Sequence, residues 1–539
     1  MVVTAVRRRA VAREEPAGSG VDFEGGLKEI LNRHPAVGLA VGVVRHGRLE
    51  LFHGHGFADI ASKSPVTADT VFRIGSITKT FTAVAVMQLV ERGLIDLDAP
   101  ANDYLSSYKL VPAQPTFRAT TVRQLLTHTG GVPEQARISG VLRANFGQTV
   151  ELGRPVPSLG EFYDGALRVV VEPGTVFIYG DHGFATLGQI VEDLTGTPLR
   201  EYFREHMFAP LGMADSDFVR SEHVASRLAT GYRLGSAGPV SIVDRQLITA
   251  AAGSIYSSPR DMARYAAALL GGGSNEHGRI LGAETVAAMF APQFQAHPRS
   301  PGMGLSFFRG EVGGHRAVEH QGILPGFNSQ LWLAPDDGLA VLAFTNGARN
   351  AVMWMPVEFA ALSNELLGGR LEQLRTDVPH HPEIWGDICG WYSLPVPISD
   401  PRSRLYGGAG AEVLQRGAEL VFRMLAPVPM LFKGFPLHPD DERDPYLFRI
   451  DLSRFGTGTT RVLFGRDGRG RMIMVPEMGV MPVPLCQQPR ARNPRLWATR
   501  SVALAALGLA ARRVARRRPR SVSLRGARQG TSVPSAASE

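Results

Sequence analysis

A serine and a lysine one helical turn apart are the side chains whose types and spacing most directly suggest chemistry. Ser76 and Lys79 open a strongly helical run, so their side chains fall on the same face. A serine hydroxyl is a weak nucleophile until a base takes its proton, and a lysine amine of lowered pKa can do so. By itself, the pair also fits a helix cap followed by a solvated lysine.

Two further clusters later in the chain could complete a site around this pair. Tyr179 and Asp181 lie about 100 residues beyond Lys79 and come just before a predicted helix at 184–195. His320 and Gly322 belong to a third cluster, His-Gln-Gly, near a late group of predicted strands. A tyrosine hydroxyl can move a proton to or from a reacting group.

Taken in this order, the three clusters are similar to those of serine β-lactamases, DD-peptidases and related esterases. The stretches at 71–79, 125–131, 210–213 and 320–327 also agree, and the chain resembles the class C β-lactamase-like serine hydrolases over roughly residues 25–370. The resemblance implies that Ser76 attacks a carbonyl and forms an acyl-enzyme, and that Lys79 accepts or relays its proton. Tyr179, as a phenolate favoured by nearby positive charge, would act first as base and then as acid.

The resemblance also implies how a substrate is held. Backbone N–H groups of Ser76 and Ile323 would form the oxyanion hole, whose donors stabilise the negative charge that develops on the carbonyl oxygen. Asp181, His320 and Gly322 would contact the substrate. No metal and no cofactor are implied.

Two positions depart from the pattern of β-lactamases and DD-peptidases. The second cluster usually ends in Asn, whereas an ionised Asp181 only accepts hydrogen bonds and could hold Lys79 charged. The third usually begins with Lys, whose charge meets a substrate carboxylate, whereas His320 is mostly neutral at pH 7. We therefore expect a carboxylic ester or small amide substrate. One alternative is a DD-peptidase or β-lactamase, and the other is a non-catalytic scaffold or binding protein.

The site needs a fold that brings these distant positions together. Periodic apolar residues predict a long helix that starts at or near Ser76 and ends before Gly93. Other predicted helices lie at 23–32, 199–208, 259–270 and 354–367, and strands lie at 37–44, 48–52 and between 318 and 345, with a loop at 320–322. This arrangement predicts an α+β fold in which helices flank an antiparallel sheet of the β-lactamase/transpeptidase-like type.

Composition divides the chain into four predicted segments. Residues 1–21 are expected to be a disordered arm, and residues 22–375 the β-lactamase-like serine hydrolase domain. Short apolar runs with Gly and Pro at 376–489 predict a small, β-barrel-like domain, similar to the lipocalin-like appendage of some relatives. Residues 490–539 form an Arg-rich tail with a possible short helix at 496–513.

The formal net charge of +8 belongs to that tail. Residues 490–539 contain 12 Arg and one acidic residue, so the tail carries +11 and the rest of the chain −3. Nucleic-acid binding by the folded body is therefore not expected, whereas weak contact between the tail and an anionic membrane surface is a hypothesis. Neither an export signal nor a membrane-spanning segment is evident, so we expect a cytoplasmic protein. The oligomeric state stays open.

Other hydrolase chemistries find less support in the sequence. His53 and His55 with the nearby Asp59 suggest a zinc site, but Asp59 stands one place too late for the run found in metallo-β-lactamases. The chain lacks the Gly-x-Ser-x-Gly elbow of α/β-hydrolases. Its two cysteines, Cys389 and Cys486, allow at most one disulfide.

Overall fold

The computed structural model describes residues 22–134, 136, 147–369, 373–394, 410–425, 433–453, 458–477 and 484–495. Residues 1–487 form one structural unit, and residues 488–539 form another. The predicted arm at 1–21 and the predicted tail helix at 496–513 lie outside the described residues. The boundaries predicted at 375/376 and 489/490 stay predictions.

Two regions far apart in the sequence form one antiparallel sheet of seven strands. Its strands are β1 (Gly38–Arg45), β2 (Arg48–Asp59), β3 (Ser64–Pro65), β4 (Phe308–Val312), β5 (His315–Leu324), β6 (Phe327–Ala334) and β7 (Leu339–Thr345). They are ordered β4-β5-β6-β7-β1-β2-β3, so the pairing of β1 with β7 joins the two regions. The loop predicted at 320–322 is wrong, because His320 pairs with Leu331 and Gly322 with Ser329 inside this ladder.

Helices cover both faces of this sheet, as the sequence predicted. They are α1 (Phe23–Arg33), α2 (Thr78–Glu91), α3 (Val122–Leu126), α4 (Leu159–Tyr163), α5 (Asp181–Thr195), α6 (Leu199–Phe203), α7 (Glu222–Ala225), α8 (Pro259–Leu270), α9 (Ala283–Phe290), α10 (Ala351–Leu366) and α11 (Trp385–Ile388). Alternate residues of β1 face opposite sides. Leu39 and Val41 pack in a core with α1 and α10, whereas Ala40 packs in the larger core with α2 and α8.

Helix α2 runs through the larger core and is apolar on nearly every side, as expected of a helix with no solvent face. Gly93 follows its end with a left-handed φ of +70°, as predicted. Its start differs from the prediction, because Gly75–Ile77 form a separate 3₁₀ turn and the α-helix begins at Thr78. Ser76 therefore lies on a turn that leads into the helix.

Short strand pairs and single turns connect these elements. The pairs are Phe72–Arg73 with Tyr256–Ser257, Lys109–Pro112 with Ala166–Val169, Thr149–Glu151 with Arg245–Leu247, and Tyr232–Gly235 with Gly238–Ser241. The turns are the 3₁₀ segments Ala101–Asp103, Ala250–Ala252, Pro382–Ile384 and Arg490–Arg492, and the π-helical Arg204–Phe208. The first pair lies immediately before the turn that carries Ser76, so it ties that turn to the body of the protein.

The C-terminal region forms a second sheet of nine strands, which confirms the predicted small β-barrel-like structure. Its strands are β8 (Gly390–Ser393), β9 (Ala411–Arg416), β10 (Glu419–Met424), β11 (Phe435–Pro436), β12 (His438–Pro439), β13 (Leu447–Asp451), β14 (Thr459–Arg466), β15 (Met472–Pro476) and β16 (Leu485–Gln488). The two edge strands, β11 and β12, are separated only by Leu437, so the sheet curls until it is nearly closed. Aromatic residues such as Tyr392, Phe448 and Phe464 fill its core.

Two predictions about the chain as a whole can be compared with this fold. Cys389 and Cys486 are both free thiols, so the disulfide that the sequence allowed is absent between these two described residues. In the part of the chain that the structure describes, no helix has the length and apolar character needed to cross a membrane.

Candidate active site

Lys79 lies in the first turn of α2, and its side chain is fully buried beneath Ser76. Its ammonium donates hydrogen bonds to Ser76 Oγ at 3.0 Å, to Asp181 Oδ1 at 2.7 Å and to the carbonyl oxygen of Ala252 at 3.1 Å. An ammonium has three N–H donors, and Lys79 has these three acceptors and the Tyr179 hydroxyl as hydrogen-bond partners. This arrangement excludes the solvated lysine that the Ser-x-x-Lys pair alone would have allowed.

Opposing influences set the charge of Lys79. Burial, the largest influence, lowers its pKa, but Asp181 and Tyr179 together outweigh burial and leave the pKa above its usual value. Lys79 therefore rests as an ammonium paired with the Asp181 carboxylate, as the substitution of Asp for Asn suggested.

Tyr179 lies two residues before the start of α5 and faces the same ammonium, with Lys79 Nζ 5.0 Å from the centre of its ring. Burial raises the pKa of Tyr179, while Lys79 and a hydrogen bond to Ser76 lower it, and the net shift is upward. The neutral phenol is therefore favoured, in contrast to the phenolate expected from the sequence. The reason is that the positive charge beside Tyr179 is already compensated by Asp181 and does not outweigh burial.

His320 projects from β5 toward the same pocket, and its ring centre is 6.3 Å from that of Tyr179. It is fully buried, and its Nδ1 lies 2.9 Å from the carbonyl oxygen of Gln321. Because a carbonyl only accepts, Nδ1 must carry the proton. Burial and then the charge of Lys79 lower the pKa of His320 to about 3. The ring is therefore neutral and offers no positive charge to a substrate carboxylate.

Strand β5 lies directly against the turn that carries Ser76. A Cβ added to Gly322 would stand 1.9 Å from the carbonyl oxygen of Ile74, and one added to Gly75 would stand 2.8 Å from the backbone nitrogen of Ile323. Gly75 also has a left-handed φ of +54°. The two backbones approach closely only because both positions lack side chains, and this approach places the backbone nitrogen of Ile323 against the turn that carries Ser76.

His128 is a buried residue of this site that the sequence reasoning did not single out. Its carbonyl oxygen accepts from Ile178 N–H at 2.8 Å, and its Nδ1 accepts from Gly180 N–H at 3.4 Å. These contacts fix the backbone on both sides of Tyr179. Burial and then the charge of Lys79 hold the pKa of His128 well below its usual value, so the ring is neutral. The only signal in the sequence was its place in the stretch at 125–131, one of those that agree with the resembled family.

The histidines that suggested a zinc site lie elsewhere. His53 Nδ1 pairs with Glu24 Oε2 at 2.7 Å, and Asp59 accepts hydrogen bonds from Ser62 and Thr230. No group of three or more His, Cys, Asp or Glu side chains is placed to hold a metal ion within the ranges that the structure describes.

The chain is similar to known proteins in sequence and in fold. The family model described as Beta-lactamase matches residues 23–356. Penicillin-binding protein 4 of Amycolatopsis lactamdurans is 31% identical over 325 residues, which are 57% of this chain and 80% of that protein. Esterase EstB of Burkholderia gladioli is 32% identical over 228 residues, which are 40% of this chain and 55% of that protein.

Solved structures extend the likeness. The octameric penicillin-binding protein homologue from Pyrococcus abyssi matches with a TM-score of 0.54 and 23% identity, covering 86% of this chain and 99% of that one. EstCE1, a hydrolase with promiscuous acyltransferase activity, matches with a TM-score of 0.51 and 21% identity, covering 63% of this chain and 96% of that one. At these identities the likeness shows the fold alone. The first match covers a larger share of this chain than the family model does.

Proposed function

The chain belongs to the beta-lactamase family, and from this premise we propose that it is a serine hydrolase acting through an acyl-enzyme on a carboxylic ester or small amide. The observation that carries the proposal is the hydroxyl of Ser76, 3.0 Å from the buried ammonium of Lys79 and hydrogen-bonded to Tyr179. A hydroxyl that touches two proton-carrying side chains at the edge of a core is arranged for nucleophilic attack.

Each group has a role in the proposed reaction. Ser76 Oγ attacks the carbonyl carbon, and the bond to the leaving group then breaks to give an acyl-enzyme that water hydrolyses. The backbone N–H groups of Ser76 and Ile323 stabilise the oxyanion, and a donor of this kind typically contributes about 10²–10³ in rate. Tyr179, as a neutral phenol, donates its proton to the departing oxygen or nitrogen.

The neutral state of His320 supports an ester or small amide over a carboxylate-bearing substrate. A permanent cation at this position would bind a carboxylate with a charge-assisted hydrogen bond, whereas the neutral ring offers only a lone pair at Nε2. The named relatives include a penicillin-binding protein and an esterase, and this difference in charge favours the second kind of substrate.

A panel of substrates tests the proposal. We expect the purified chain to hydrolyse short p-nitrophenyl acyl esters faster than nitrocefin or a peptide that ends in D-Ala-D-Ala. A fluorophosphonate probe should label the parent protein but not the Ser76→Ala variant. Fast nitrocefin turnover without esterase activity would favour the β-lactamase alternative, and absence of labelling in both proteins would favour a non-catalytic scaffold.

A further inference from the structure

The proton of Ser76 must leave when its oxygen attacks. Neither neighbouring side chain, Lys79 or Tyr179, is a free base at rest. All three N–H groups of the Lys79 ammonium already donate hydrogen bonds. The Tyr179 phenol holds its own proton, as its raised pKa indicates. The final proton acceptor is therefore a group that is hydrogen-bonded to one of these two side chains.

The Asp181 carboxylate lies at that next step. Lys79 Nζ is 3.0 Å from Ser76 Oγ and 2.7 Å from Asp181 Oδ1, so one nitrogen bridges the hydroxyl and the carboxylate. Lys79 is wholly shielded from solvent, and the side chain of Asp181 is 25% exposed. Asp181 is also the first residue of α5, where the partial positive charge of the helix end favours an ionised carboxylate at rest.

We propose that Asp181 is the terminal proton acceptor of the acylation step and that Lys79 relays the proton to it. A proton on Lys79 Nζ first moves to Asp181 Oδ1 along the hydrogen bond between them, which leaves a neutral amine with a lone pair. As the bond between Ser76 Oγ and the carbonyl carbon forms, this amine turns its lone pair to Ser76 and takes the hydroxyl proton. At the end of the step Lys79 is again an ammonium, Asp181 is a neutral carboxylic acid, and the negative charge lies on the substrate oxyanion.

The return of the proton also balances. When the oxyanion collapses, the carbonyl double bond re-forms and the leaving group departs with the proton of Tyr179. The phenolate then takes a proton from Lys79, to which it is hydrogen-bonded, and Lys79 recovers one from Asp181. At the end all three side chains have their starting charges, and the leaving group has gained one proton, which balances the one that Ser76 lost.

The position of Lys79 makes this transfer favourable. The negative charge starts on Asp181 and ends on the substrate next to Ser76, and the ammonium lies between the two places. It therefore stabilises the charge at both ends of its path, within a buried environment where charges interact strongly. The amide of an Asn at position 181 could not take up a proton, so the departure of this chain from the usual motif has a chemical consequence.

The inference rests on the proposed serine hydrolase function, and Asp181→Asn tests it. The variant keeps the shape of the side chain and removes the base, so we expect kcat for the preferred ester to fall at least about 100-fold with KM nearly unchanged, measured below the Tm of the variant because Lys79 loses its buried partner. Asp181→Glu, which keeps a carboxylate, should lose less, and the acidic limb of its kcat/KM profile should persist. The matched control is Asp193→Asn. Asp193 lies near the other end of α5, where it accepts a hydrogen bond from Ser107, so its loss should leave kcat unchanged.

The opposite outcome would overturn the relay. If Asp181 only holds Lys79 charged, then Asp181→Asn lowers the pKa of Lys79 and makes the enzyme as active as the parent or more active near pH 7. Labelling by a fluorophosphonate separates this result from failure of the proposed function. If the parent is labelled and the Asp181→Asn variant is fully active, the proton relay is contradicted but the serine hydrolase function is not. If the parent is never labelled at Ser76, both proposals are contradicted.

Discussion

The imidazole of His128 lies against the ring of Tyr179, with the two ring centres 4.4 Å apart. His128 also accepts the backbone N–H groups of Ile178 and Gly180, the residues on either side of Tyr179. It does so with a left-handed φ of +56°, which is uncommon outside glycine and is retained where surrounding contacts require it. His128 thus fixes both the backbone and the ring of the tyrosine that we assign to proton transfer.

We expect His128→Leu to lower kcat about tenfold or more, because the Gly180 N–H loses its acceptor and Tyr179 gains freedom to turn. His128→Asn should lose much less, since its side-chain oxygen can accept from Gly180 and Asn tolerates a left-handed backbone. Steady-state kinetics on the preferred ester, with active sites counted by fluorophosphonate labelling, would measure both. His34→Ala is the control, because it breaks a contact with Glu358 away from the site. Equal kcat values for the Leu and Asn variants would contradict the prediction.

The close approach of Gly322 to Ile74 predicts a second effect. In Gly322→Ala the new Cβ would overlap the carbonyl oxygen of Ile74, so β5 must move away from the turn that carries Ser76. We expect at least about a 100-fold loss in kcat, because the backbone donors no longer meet the oxyanion. Gly310→Ala, on the neighbouring strand β4, adds its Cβ to open space and should retain activity. A fully active Gly322→Ala variant would show that the two backbones need not approach so closely.

The residue pattern predicted more of the fold than of the electrostatics of the site. Helical periodicity and Gly93 placed α2 to within a few residues, because both reflect local geometry. The loop predicted at 320–322 was wrong, because a glycine that allows a strand to approach another backbone resembles a glycine in a turn. Neither burial nor a hydrogen bond between distant residues can be read from spacing. The neutral phenol of Tyr179 and the contacts of His128 therefore required the structure.

The neutral His320 predicts that a lysine in its place changes substrate preference. Two esters are compared, one with a carboxylate near the scissile bond and one uncharged analogue. We expect His320→Lys to raise the ratio of their kcat/KM values, charged over uncharged, by about tenfold or more. The reason is that an ammonium would now face the carboxylate, as the Lys of typical β-lactamases does. His320→Gln, which stays neutral, is the matched variant and should leave the ratio unchanged. An unaltered ratio in His320→Lys would mean that the carboxylate is not held from this position.

Glu319 predicts a pH dependence of stability that is separate from catalysis. Burial raises its pKa to about 7, although Gln330 Nε2 donates to its carboxyl oxygen at 2.5 Å. Between about pH 4.5, the ordinary value, and pH 7, the folded chain holds a proton that the unfolded chain has lost, so stability falls as pH rises through this window.

In Glu319→Gln this dependence disappears, and the variant should gain stability relative to the parent by up to about 1.4 kcal/mol per pH unit. Urea unfolding at pH 5 and pH 8 measures the difference, and the buried histidines cancel because both proteins contain them. Glu311→Gln, at an exposed position of β4, is the control and should keep the slope of the parent. If Glu319→Gln shows the same dependence of stability on pH as the parent, then the Glu319 carboxyl of the parent titrates in the folded protein as it does in water.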